Sequence, residues 1–260
     1  MRQISHMRSV LVLGGVMLLA CTQPQAAATP LPAATPTPAL VANAPQKPTD
    51  CVPVQTGTLQ DVRSTPASPY FVHHPTPDNP TASTILFLPG GSGGRRSAQR
   101  VWSNYLSGGP GVDGYRVVIP YSVKSDFLDE AARTFRILDE VLGCYGGDAA
   151  KVHLAGVSNG GHVAFAFMLA RPDRFATLLG APGEFPSHEP AAWASALAGR
   201  PVFNGVGAND ADWKAGVKAT HEALVAAGVE SVYVEFAGQG HIVDEAFDES
   251  VFFDFWAKHS

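Results

Sequence analysis

Basic residues are scarce in this sequence. Eighteen Lys and Arg stand against 23 Asp and Glu, a formal net charge of −5 over 260 residues, and the basic residues form neither a run nor a stripe. A nucleic-acid partner therefore has no electrostatic footing. The mildly acidic balance argues for solubility and identifies no partner. No His, Cys, Asp and Glu grouping has metal-ligand spacing, so neither a metal nor another cofactor is expected. No internal repeat at a fixed period is present. Cysteine is rare as well, with three residues. Neither Cys51 nor Cys144 has a glycine-flanked turn or a base beside it in sequence, which argues against a cysteine nucleophile.

Apolar residues are plentiful. At 45% hydrophobic, the chain can bury one substantial core and form one or two domains. Its first apolar run is not part of that core. Arg2 and Arg8 precede "SVLVLGGVMLLAC", a basic segment followed by an apolar one too short to span a bilayer. Residues 1–20 thus read as a secretory signal. "LLAC" resembles the lipobox of bacterial lipoproteins, which implies that Cys21 is lipidated and becomes the mature N-terminus. An acylated Cys21 would hold the chain on the cell-envelope membrane. Thr22, in place of an aspartate, would fit outer-membrane sorting in a Gram-negative cell. Cleavage further on, near "QAAA", would instead discard Cys21.

Residues 21–49 are a low-complexity Ala/Pro/Thr segment that cannot bury a core and reads as an extended tether. Beyond it, Cys51 and Cys144 make an even pair. In an oxidising compartment such a pair favours a disulfide, here joining the start of the domain to the end of a helix. Two unpaired thiols are the alternative.

Residues 50–260 alternate short β-rich runs with helical ones. Strands are expected at 69–75, 83–91, 114–122, 151–158, 175–183, 200–210 and 230–241. Helices are expected over 125–142, 160–172, a stretch from about Trp213 to Gly228, and 244–259. Buried strands alternating with helices imply an α/β fold, a mostly parallel sheet covered on both faces.

The chemistry concentrates in "HLAGVSNGGHVAF" (153–165), where Gly156-Val157-Ser158-Asn159-Gly160 fits G-x-S-x-G. The motif alone is weak. Its context, a buried strand before and a helix after, is that of a nucleophile elbow. The glycines make room for a serine held in a strained backbone conformation, and Gly161 adds more. A serine hydroxyl needs a base. His241, in "FAGQGHIVD", follows the last strand, at the sheet end where parallel-sheet sites gather. His153 lies inside a strand as a core residue, and His162 is on the helix after the elbow. His73, His74, His188, His221 and His259 read as surface or strand-edge residues. The base needs a carboxylate. "GANDADW" offers Asp210, which is preferred, and Asp212, which reads as an N-cap for the next helix. The order Ser158, Asp210, His241 is that of the G-x-S-x-G hydrolases. "FLPGGSGGRR" (87–96) ends a strand in glycines. Backbone N–H groups of Gly91 or Ser92, with that of Asn159, are the candidate oxyanion donors. This turn lacks the P-loop lysine and does not fit G-x-G-x-x-G, which argues against nucleotides.

From about Val54 onward the sequence resembles the α/β-hydrolases, and its "GVSNGG" elbow resembles that of secreted esterases related to polyhydroxybutyrate depolymerases and feruloyl esterases. The resemblance implies a sheet of about eight strands, with Ser158 as nucleophile, His241 as base and Asp210 as acid. Pro89 departs from it, standing where many relatives have the histidine of an H-G motif. Only residues 183–200 lie where larger relatives insert a lid, so an open site is expected, suited to short acyl esters or polymer ends. Phe185, Trp193 and Trp213 are either pocket lining or packing residues. Arg95 and Arg96 either meet an acidic substrate or are solvated.

The expected activity is hydrolysis of carboxylic esters by an extracytoplasmic, lipid-anchored serine hydrolase. A serine peptidase or acyltransferase on the same fold would carry the same three residues. A catalytically inert surface-binding protein is the rival from another class, and the intact Ser158, Asp210 and His241 argue against it.

Overall fold

The computed structural model describes residues 51–63, 68–107, 109–122, 131–185 and 190–260. The expected signal, Cys21 and the tether lie outside the described residues, as does His188. Eight strands form one sheet in the order β1-β2-β4-β3-β5-β6-β7-β8. They are β1 (Leu59–Arg63), β2 (Pro69–His73), β3 (Thr84–Leu88), β4 (Arg116–Pro120), β5 (Val152–Gly156), β6 (Thr177–Gly180), β7 (Val202–Gly207) and β8 (Ser231–Phe236). β2 pairs antiparallel with β1 and β4, and every other pairing is parallel.

Helices cover both faces. α2 (Ala131–Tyr145), α3 (Asn159–Ala170), α4 (Pro190–Ala196) and α5 (Ala211–Ala226) pack on one side. α1 (Arg95–Val101), a π-helical turn at Trp102–Leu106 and α6 (Ser250–Lys258) pack on the other. Alternation along β3 shows the reason for its unbroken apolar run. Leu86 and Leu88 enter the first core, Ile85 and Phe87 the second, and all four are wholly buried.

The seven expected strands are all present, each shorter than its apolar run. β1 was not foreseen. Its sequence, LQDVR, is polar and half-exposed, and pairing with β2 rather than its own hydrophobicity makes it a strand. That strand corrects the reading of His73 and His74 as surface or edge residues. With β1 and β4 flanking β2, and with rings of Trp102 and Tyr145 against the two imidazoles, both histidines are buried.

The helix expected over 125–142 is α2, whose first expected turn lies outside the described residues. The closing helix begins at Ser250 rather than 244. Before it, the side chains of Asp244 and Asp248 accept hydrogen bonds from the backbone of Ala246 and Ser250, local turns that compete with helix. α5 ends as expected, with Gly228 in the left-handed region at φ +78°. Cys51 and Cys144 form the expected disulfide, closing a separation of 93 residues.

Candidate active site

Ser158 stands between β5 and α3. At φ 57° and ψ −126° it is the one non-glycine residue with positive φ among the described residues. Such a conformation costs on the order of 1–3 kcal/mol and needs the surroundings to impose it. Here the Ser158 N–H donates to Pro182 O at 2.8 Å, and its carbonyl accepts from the His162 N–H at 3.1 Å. The glycines serve close approach. A Cβ at Gly156 would come within 2.2 Å of Gly160 O, and one at Gly160 within 2.2 Å of Leu88 O. Side chains at either position would push α3 away from the ends of β3 and β5.

His241 lies in the loop after β8, and its Nε2 is 2.9 Å from Ser158 Oγ. Its Nδ1 is 2.8 Å from Asp210 Oδ2, just past the end of β7. The His241 side chain is 39% exposed and that of Asp210 only 4%. The carboxylate is thus shielded behind the imidazole, and the imidazole faces the solvent side. Asp212 is exposed in the first turn of α5, away from this chain of contacts. It is not the N-cap either, because that position belongs to Asp210, whose carboxylate is spent on His241 and makes no cap bond.

The His241 loop is held by residues that no local motif announces. Gln239 is buried. Its Nε2 donates to Asp244 Oδ1 at 2.9 Å, while its Oε1 accepts from the Asp244 N–H at 2.8 Å. From the other side, Asn104 Nδ2 donates to Val243 O at 2.8 Å. Gly207 lets the loop pass, since a Cβ there would lie 2.1 Å from Gly240 O. A glutamine five residues before an aspartate is too common a pattern to have been singled out.

The glycine-rich turn after β3 meets the serine directly. A Cβ at Gly90 would lie 2.9 Å from Val157 O and 3.1 Å from Ser158 Cβ. Asn159 Nδ2 donates to Gly91 O at 3.1 Å, tying the elbow to this turn. Gly91 and Ser158 share a cavity of about 220 Å³, whose wall includes Arg100, Val101, Tyr105 and Ile242. Ser92 is exposed and does not line it.

The aromatic residues separate into two groups. Phe185 and Trp193 are buried and stacked on each other in the core, so they pack rather than line a pocket. Trp213 is half-buried, and its ring lies 5.6 Å from that of His241 and 4.6 Å from that of His162. His162 in turn approaches Glu184 at 3.6 Å, and burial lowers its pKa. His153 is fully buried, as expected, with Nδ1 2.9 Å from Thr177 Oγ1 and Nε2 3.2 Å from Ser260 Oγ. Arg95 is not simply solvated: it pairs with Asp61 at 2.9 Å and sits over the Phe71 ring. Arg96 is exposed.

No protein-family model matches the sequence, and no curated protein matches it. Solved structures do resemble the fold. A ferulic acid esterase from Anaeromyces mucronatus, solved with ferulic acid, aligns over 81% of this chain and 93% of its own, with TM-score 0.59 and 15% identity. A Bacillus cereus carboxylesterase aligns over 76% and 97%, with TM-score 0.57 and 15% identity. An S-formylglutathione hydrolase from Staphylococcus aureus aligns over 78% and 97%, with TM-score 0.56 and 14% identity. The fold of this chain is that of the α/β-hydrolases.

Proposed function

We propose that this chain is a serine hydrolase that cleaves carboxylic esters through an acyl-enzyme. One observation carries the reading: the unbroken contact chain from Ser158 Oγ through both ring nitrogens of His241 to the buried Asp210. Ser158 Oγ attacks the ester carbonyl carbon, and its proton passes to His241 Nε2. Asp210 accepts the Nδ1–H, fixes that tautomer and stabilises the imidazolium. The carbonyl oxygen, now an oxyanion, takes hydrogen bonds from the backbone N–H groups of Gly91 and Asn159. Gly91 is preferred to Ser92 because it lines the cavity beside the serine. The carbon–oxygen bond to the alcohol breaks as His241 returns the proton to the leaving oxygen. Water, deprotonated by His241, then attacks the acyl carbon, releasing the acid and restoring Ser158.

The site is proposed to be open and to take short acyl esters or the ends of a polyester. The exposed His241 supports this, as does α4, which buries Trp193 in the core. We further propose that the protein works outside the cytoplasm, lipid-anchored through Cys21 to the cell envelope. The Cys51–Cys144 disulfide suits an oxidising compartment.

Fluorophosphonate labelling of the purified chain, with the adduct located by peptide mass, tests the mechanism. The expected adduct is on Ser158, and its formation abolishes p-nitrophenyl ester turnover. Ser158→Ala is expected to lower kcat by roughly 10⁴–10⁶-fold. Near-normal turnover in that variant would refute the assignment.

A further inference from the structure

The cavity beside Ser158 is walled largely by apolar side chains, and its lining includes one permanently charged residue, the exposed Arg100. This residue belongs to the last turn of α1. Among the described residues no Asp or Glu pairs with its guanidinium. Among other arginines of the surface, Arg95 pairs with Asp61, Arg171 with Asp173 and Arg174 with Asp139. Nor does Arg100 neutralise a free helix end, since α1 continues without a break into the π-helical turn at Trp102–Leu106.

We propose that Arg100 selects esters bearing a carboxylate on the arm that occupies this cavity; the proposal rests on the ester-hydrolase reading above. Val101, Val157 and Ile242 offer apolar surface to a short methylene chain leading away from the reacting carbonyl. At its end the guanidinium presents a planar pair of donors that matches both oxygens of a carboxylate. One guanidinium balances the single charge of a carboxylate and leaves a phosphate dianion half-compensated. On a chain of net charge −5, an anionic substrate otherwise meets repulsion, and a local cation at the site offsets it.

Two matched ester pairs test this with the full chain. For the acyl arm they are p-nitrophenyl hexanoate and the mono-p-nitrophenyl ester of adipic acid, which differ only in the terminal methyl or carboxylate. For the alcohol arm they are the butyrate esters of 1-hexanol and of 6-hydroxyhexanoic acid, followed by acid release. In one of the pairs kcat/KM is expected to favour the charged ester by about tenfold, an advantage that shrinks in about 1 M salt. Arg100→Gln should bring that ratio close to one, and Arg100→Glu should invert it. A ratio near one in both pairs for the unaltered chain, or a preference that survives Arg100→Gln, overturns the proposal. If neutral esters are cleaved and Ser158 is labelled in that case, the hydrolase reading stands and only the role of Arg100 falls. If no ester is cleaved and no fluorophosphonate adduct forms, the hydrolase reading fails and the proposal falls with it.

Discussion

The two ends of β5 carry two histidine environments that look alike on paper. At its start, His153 contacts the hydroxyls of Thr177 and Ser260 through its two ring nitrogens. Beyond its other end, His241 contacts the hydroxyl of Ser158 and the carboxylate of Asp210. Both rings are pinned on both sides. They differ in what can happen next. His153 is fully buried with no carboxylate partner, and burial pushes its pKa down to about 4. A proton there would be a charge in a dry interior. His241 is partly open and backed by a buried anion, so a proton arriving on Nε2 has a compensating charge behind it. Two hydrogen bonds make an ordered histidine. The carboxylate and the exposure make a candidate base.

The ends of the sheet follow the same division. Near the start of β5, Arg116 is wholly buried and donates to Tyr145 O at 2.8 Å, and the disulfide fastens Cys51 to the end of α2. These groups brace the fold. The other end collects the strained serine, its glycine turn and the clamped His241 loop, and this is where the chemistry is proposed to occur.

Asp210→Asn would make the His241 environment resemble that of His153, with neutral partners on both nitrogens. The expected loss in kcat is on the order of 10³–10⁴-fold, because the amide no longer fixes the productive tautomer. Asp212→Asn should change kcat by less than about twofold, and comparable losses in the two variants would reject Asp210 as the acid. Smaller in free energy is the effect at the opposite end. Cys144→Ala should cost about 4 kcal/mol of stability through the 93-residue separation it leaves unclosed. Thermal unfolding would register this as a lower Tm with kcat unchanged at 25 °C. A fall in kcat with an unaltered Tm would contradict the division of labour.

The effect of a single buried histidine is smaller still and concerns pH. Burial holds the folded-state pKa values of His74 and His153 at about 4, below the ordinary 6.5. The unfolded chain therefore takes up protons between about pH 6.5 and 4 that the folded chain refuses. Stability is full above this window and is lost as pH falls through it, by about 3 kcal/mol per histidine at most. Urea unfolding at several pH values should show this slope, and His153→Gln should reduce it. An unchanged slope in that variant would mean that His153 is protonated as readily folded as unfolded.

Much of this molecule was legible one segment at a time. Seven strands, four of the six described α-helices (α1 and α4 were not foreseen), the turn at Ser158 and the positions of Asp210 and His241 depend on local signals: apolar runs, glycines and residues placed just after strands. A buried strand leaves that mark because both of its faces must be apolar, and a tight elbow leaves one because only glycine fits beside it. Other features had no local mark. LQDVR becomes β1 only by pairing with β2, and that pairing helps bury His73 and His74. The choice of Asp210 over Asp212 depends on which carboxylate the His241 loop reaches, and that loop is set by Gln239, Asp244 and Asn104. Arg100 stands beside Ser158 although 57 residues separate them in the chain. The sequence by itself determined most of the elements and the kinds of residue at their ends, because backbone and hydrophobic preferences act over a few residues. Tertiary structure alone decided which of those residues meet, because packing and charge act between segments that the chain keeps far apart.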